Sequence, residues 1–187
     1  MGRLIYCLNV SLDGFIEGPD HEPTWADVGE ELHRWFNDRA RGIEASLYGR
    51  RMYELMADAW PTIAKDASAP GYMHEFAETW LATPRYVFST TLASVAHNST
   101  LVRGDPRTEL ARIRERHHGD LEIAGPTLAA AFIRAGLVDE YQLLVHPIVL
   151  GGGTPFFPPL VEPLRLRLVE SRVVAGEVQL LAYRPAS

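Results

Sequence analysis

The chain has 187 residues, the length of a single domain (residues 1–187) that can bury a sizeable core. With 47% hydrophobic and 22% charged residues it is not a disordered polymer, its net charge of −6 gives no general basic field for nucleic acid, and its one cysteine, Cys7, excludes internal disulfides. No apolar run approaches the roughly 20 residues that span a bilayer and no basic-then-apolar leader is visible, so the expectation is cytoplasmic residence without membrane or nucleic-acid partners.

Arg3 to Val10 is a mostly apolar run flanked by turn residues, which predicts a strand inside a sheet with Cys7 buried in it. Ser11-Leu12-Asp13-Gly14 follows, and Asp-Gly pairs are common turn formers. Residues 18–24 are turn-rich; Val28, Leu32, Trp35 and Phe36 then fall at helical spacing, with Asp27 near the helix start. Ala45 to Tyr48 reads as a short strand that runs into a helix at Gly49-Arg50-Arg51, and Trp60-Pro61 is expected to end that helix. After a polar loop from Lys65 to Gly71, Met73, Phe76, Ala77 and Trp80 mark another helix.

Leu101-Val102 is a brief edge-like strand, and Asp105-Pro106 opens a helix with aspartate as cap and proline in the first turn. His117-His118 at its end lack carboxylate or cysteine company; they read as surface residues, and no metal is assigned.

Leu121 to Phe157 carries the clearest local signals. It reads as a buried strand to Ala124, a Gly125-Pro126 turn, a helix from Pro126 to Ala135, a Gly136 stop, a second strand from Tyr141 to Leu150 and a triple-glycine loop. Proline suits the first helical position because its missing N–H would have no partner there, and glycine suits the left-handed residue beyond the end. The Gly125-Pro126-Thr127 turn has two readings. It is either a tight α/β connection or a phosphate site, since free N–H groups and the positive helix end converge on one spot. Beyond Pro158-Pro159, Leu164, Leu166 and Leu168 alternate with arginines, and Ala175-Gly176-Glu177 turns the chain into Val178, Leu180 and Ala182. That pattern predicts a closing antiparallel hairpin with one buried face. Strands alternating with helices imply a mixed sheet with helices on both faces.

Ala124 to Ala129, Gly136 to Glu140, His146-Pro147 and Gly151 to Phe156 together resemble the cofactor-binding unit of the dihydrofolate reductase-like superfamily. The resemblance is strongest to the C-terminal reductase domain of bifunctional riboflavin-biosynthesis deaminase-reductases, and it covers most of the chain. It implies a three-layer αβα fold with a mixed, mostly parallel sheet and a C-terminal antiparallel hairpin. It also implies an NADPH-dependent reductase acting on a small-molecule substrate, similar to 5-amino-6-(5-phosphoribosylamino)uracil reductase, and a homodimer.

By the same resemblance, Gly125, Pro126, Thr127, Leu128 and Ala129 hold cofactor, and Gly49, Arg50 and Arg51 face its phosphates, for which arginine has suitable forked donors. Pro84 to Leu92 matches a strand whose end, here Ser89, Thr90 and Thr91, meets the 2′-phosphate. Trp25 matches a tryptophan near the cofactor. Asp13, bordering the cleft, is the leading polar candidate at the catalytic centre, as a substrate orienter. The chain departs from the pattern at Met52, where the family has threonine, at the arginine usually found after the serine, and at Ile123, where the riboflavin reductases carry an acid. The Gly-x-Gly-x-x-Gly dinucleotide fingerprint is absent. A non-catalytic nucleotide-binding or regulatory protein on the same fold and a true dihydrofolate reductase are the alternative readings.

Overall fold

The computed structural model describes residues 2–20 and 25–186; positions 21–24 of the turn-rich run after Gly18 lie outside the described residues. The chain runs β1 (Leu4–Ser11), β2 (Phe15–Glu17), α1 (Glu30–Arg41), β3 (Ile43–Gly49), α2 (Arg50–Ile63), α3 (Gly71–Ala82), β4 (Arg85–Phe88), β5 (Ser99–Val102) and α4 (Pro106–Arg116). It continues through β6 (Asp120–Ala124), α5 (Pro126–Arg134), β7 (Glu140–His146), β8 (Thr154–Pro155), β9 (Leu166–Ala175) and β10 (Val178–Pro185).

Eight strands form one sheet in the order β5-β4-β3-β6-β1-β7-β10-β9. The pairings from β5 to β7 are parallel, and those of β10 with β7 and β9 are antiparallel. Strand β1 shows why both faces are covered. Its Leu4 and Tyr6 pack with Leu110, Ile113 and Phe132 of α4 and α5, whereas Ile5 and Cys7 pack with Leu32 of α1. Alternate side chains of a strand point to opposite faces, so a strand apolar on both sides, as β1 is from Leu4 to Leu8, needs a helical layer on each. The fold is the three-layer dihydrofolate reductase-like arrangement that the sequence resembles. Among the described residues no helix is long and apolar enough to cross a membrane.

Several boundaries differ from the sequence-based expectation. Helix α2 does not end at Trp60-Pro61 but continues to Ile63. The proline removes one donor near the helix end, while Ala64 N–H still reaches the Trp60 carbonyl and the Thr62 hydroxyl donates to the Asp58 carbonyl. Strand β7 stops at His146 rather than Leu150, because Pro147 has no N–H for the ladder. The following residues instead bind the β1–β2 turn, with Leu12 N–H donating to the Ile148 carbonyl at 2.8 Å.

Strand β4 ends at Phe88 instead of Leu92, since the Ser89 hydroxyl accepts from the N–H groups of Thr91 and Leu92 and folds the chain into a turn. The C-terminal hairpin lacks the expected buried face along β9. As the last strand of the sheet, β9 leaves Leu168 and Val173 exposed. His117 is not a free surface residue; its Nε2 lies 2.9 Å from the Tyr86 hydroxyl and its Nδ1 3.3 Å from the Glu44 carboxylate.

Candidate active site

Four adjacent parallel strands, β5, β4, β3 and β6, end at the same edge of the sheet, and the segments that leave them enclose a cleft of about 1220 Å³. Ligands collect at this edge of an open α/β sheet because connections there diverge and helix N-termini point outward. Two helices supply such ends. Gly49 precedes α2 and Gly125 precedes α5, and neither helix start has a side-chain cap. Their first N–H groups therefore face the cleft with the positive ends of two helix dipoles.

The two starts are packed against each other. Gly125 has φ +94, and a Cβ there would lie 3.2 Å from the Cβ of Met52, while a Cβ on Gly49 would lie 3.4 Å from that of Leu128. Gly125 is thus fixed twice, by a backbone conformation that other residues rarely adopt and by the close approach of α2. Met52, which replaces the family's threonine, is the residue that fills this contact.

Of the residues expected from sequence, Gly49, Arg50, Arg51, Ser89, Thr90, Gly125, Pro126, Thr127 and Leu128 line this one cleft, joined by Thr91. Arg50 donates from Nε to Glu54 at 2.8 Å and from Nη1 to the Thr91 hydroxyl at 3.0 Å, so it joins α2 to the turn after β4. Arg51 forms a two-pronged ion pair with Glu17, at 2.8 and 3.3 Å. Ala129 is fully buried in the core beneath the helix start and supports the cleft without lining it.

Asp13 and Trp25 stand elsewhere. The Asp13 carboxylate accepts the Ser11 hydroxyl at 2.6 Å and the N–H groups of Leu150 and Gly151 at 3.1 and 2.8 Å. It clamps the β1–β2 turn to the triple-glycine loop. The Ser11 bond, followed by these backbone donors, holds its pKa below the ordinary aspartate value. Trp25 donates its indole N–H to the Ile16 carbonyl at 2.9 Å and meets the His146 ring edge-on at 5.4 Å. His146 is buried, with Nε2 3.0 Å from the Asn9 amide oxygen. Burial lowers its pKa, against an opposing pull from Asp27, so the ring is neutral at pH 7. Ile123, at the position of the family's acid, is a core residue.

The cleft residues that escaped the sequence reading include Arg103 and Glu17. Arg103 follows β5 and donates to the carbonyls of Ser89, Thr90 and Leu92, at 3.3, 2.9 and 2.6 Å. It returns a guanidinium to the turn from which the arginine expected after the serine is missing. Glu17, on β2, is buried and lines the same cleft. The only available signals were Arg103 just after a brief strand and Glu17 directly after the apolar pair Phe15-Ile16. Among the described residues the donor set (two uncapped helix starts, three arginines and the four hydroxyls of Ser89, Thr90, Thr91 and Thr127) fits a dinucleotide carrying several phosphates. Among the described residues no group of three or more His, Cys, Asp or Glu side chains is placed to hold a metal ion.

Comparison with known proteins agrees with this fold. The family model of the RibD C-terminal domain matches residues 3–180. The chain is 30% identical over 182 residues to YyaP, an uncharacterized protein of Bacillus subtilis strain 168, covering 97% of this chain and 94% of YyaP. Among solved structures, a putative riboflavin biosynthesis protein from Shewanella sp. PV-4 superposes with TM-score 0.71 at 22% identity, covering 99% of each chain. The NADP(H) complex of Enterococcus faecalis dihydrofolate reductase superposes with TM-score 0.64 at 14% identity, covering 100% of this chain and 98% of that one. At these identities the structural likenesses speak for the fold, and the match along the sequence speaks for the lineage: the chain belongs to the RibD C-terminal domain family.

Proposed function

We propose that this single-domain chain is an NADPH-dependent reductase that delivers hydride to a C=N or C=O group of a small heterocyclic substrate, as in the pyrimidine reductase step of riboflavin synthesis. The observation that carries this reading is the convergence of two uncapped helix N-termini with Arg50, Arg51 and Arg103 on one cleft. NADPH would supply the hydride, and the protein's task is to hold and orient both reactants. The N–H groups at the starts of α2 and α5 would bind the pyrophosphate, and Ser89, Thr90, Arg50 and Arg103 the 2′-phosphate. Asp13 acts on the site indirectly in this reading, by fixing the turn that leads into β2.

Titration with NADPH while following nicotinamide fluorescence tests the proposal. Saturation is expected in the micromolar range, and no binding at about 1 mM, a weak limit on the affinity scale, would end it. We also infer a homodimer, supported by the exposed apolar residues along edge strand β9; a monomeric mass in sedimentation velocity at micromolar concentration would remove that inference.

A further inference from the structure

We propose that Glu17 determines the charge selectivity of the cleft by competing with ligand phosphate for Arg51. The inference rests on the reading of the cleft as a dinucleotide site and names a residue that sets which ligands it accepts. Among the described residues three acids line the cleft: Glu17, Glu54 and Asp58. Glu54 pairs with Arg50 one turn away on the same helix, a local contact on an exposed surface. Glu17 differs in origin and in burial. It reaches Arg51 from β2, 34 residues away in sequence, with 12% of its side chain exposed against 66% for Arg51.

The Glu17 oxygen at 3.3 Å from Arg51 also accepts the Thr154 hydroxyl at 3.0 Å. Thr154 belongs to β8, which pairs with β2. The carboxylate is thus held by a second strand, and Arg51 is the more exposed partner of the pair. Arg51 is the second residue of α2, at the mouth of an uncapped helix start. A phosphate bound there draws on the same planar donors that Glu17 occupies. A ligand with little negative charge leaves the ion pair intact and meets a nearby carboxylate. A ligand with several phosphate charges takes or shares Arg51. Glu17 thus raises the charge a ligand must carry to bind, and does so most for the weakly charged ones.

Glu17→Gln removes the charge and retains the shape and an acceptor for Thr154. Calorimetric titration of this variant with NADPH, NADH and inorganic pyrophosphate is expected to show tighter binding than the parent protein. The gain should be about three- to tenfold in low salt, larger for NADH than for NADPH, and smaller at high ionic strength. In an Arg51→Gln background, a substitution at an exposed position, the same change at Glu17 should give a clearly smaller gain, the part left by direct repulsion between carboxylate and ligand. Unchanged or weaker binding in Glu17→Gln would overturn the proposal, as would an equal gain with Arg51 absent. Should a dinucleotide fail to bind the parent protein, the reductase reading falls, and the pyrophosphate titrations still decide the role of Glu17. A thermal melt of each variant identifies any loss of binding that comes from unfolding.

Discussion

Arg103 shows how much of the site depends on single side chains placed by distant parts of the chain. Its guanidinium closes the Ser89–Leu92 turn by donating to three carbonyls, which leaves its positive charge at the cleft wall beside two hydroxyls. Arg103→Gln should weaken NADPH about ten- to a hundredfold, the range expected for a charge-assisted phosphate contact, and NADH far less. Competitive titration of the two cofactors checks this; equal losses would mean that Arg103 acts only by holding the turn. Gly49, Gly125 and Pro126 were legible in the sequence as helix starts because that backbone role is local, whereas Arg50 was named from the family resemblance. Arg103 and Glu17 were not legible, because their partners lie 14 and 34 residues away and no local pattern sets those separations. Asp13 was visible as a turn former, and that structural role accounts for all the contacts its carboxylate makes with the glycine loop.

At the scale of elements, the site is the junction of α2 with α5, and its tightest point is Gly125. Any side chain there meets both an unfavourable φ of +94 and the Met52 Cβ at 3.2 Å. Gly125→Ala is therefore expected to cost about 1–3 kcal/mol of stability, from backbone strain together with displacement of α2. Urea denaturation measures it, and a change within about 0.5 kcal/mol, the range of ordinary surface substitutions, would contradict the assigned packing. NADPH affinity should fall with it, because the two helix starts move apart. The existence and order of nearly all these elements could be read from the chain, while several ends could not. Apolar residues resume after His146-Pro147 and run to Leu150; the proline is a readable end to the ladder, while the clamp by which Asp13 holds Leu150 and Gly151 is not visible in the sequence. The three-residue β2 was too short for any periodicity to mark, and Glu17 lies on it.

Across the whole molecule, the parallel part of the sheet is joined to its antiparallel edge by one buried carboxylate. Glu140 of β7 accepts from Arg3 beside β1 at 2.8 Å, from Arg184 of β10 at 2.8 Å and from Gln142 at 2.7 Å, and Arg3 also pairs with Asp120 of β6. Burial pushes the Glu140 pKa up, but the bonds from Arg184 and Gln142 and the charges of Arg3 and Arg184 outweigh it, and the value lies below that of an ordinary glutamate. A folded-state pKa lower than the unfolded one means that the ionised group stabilises the fold. That contribution is complete above the unfolded value, roughly 4.3, and is lost as pH falls through the depressed folded value. Glu140→Gln leaves two arginines facing a neutral amide and should cost about 2–4 kcal/mol at pH 7, below the full range for a completely buried pair because both arginines are partly exposed. The difference in stability between parent and variant should stay constant from pH 7 to about 5 and narrow below about 4. Urea denaturation at stepped pH reads it directly. A difference that persists unchanged at pH 3 would show that Glu140 supports the sheet through its shape and hydrogen bonds, with no contribution from its charge.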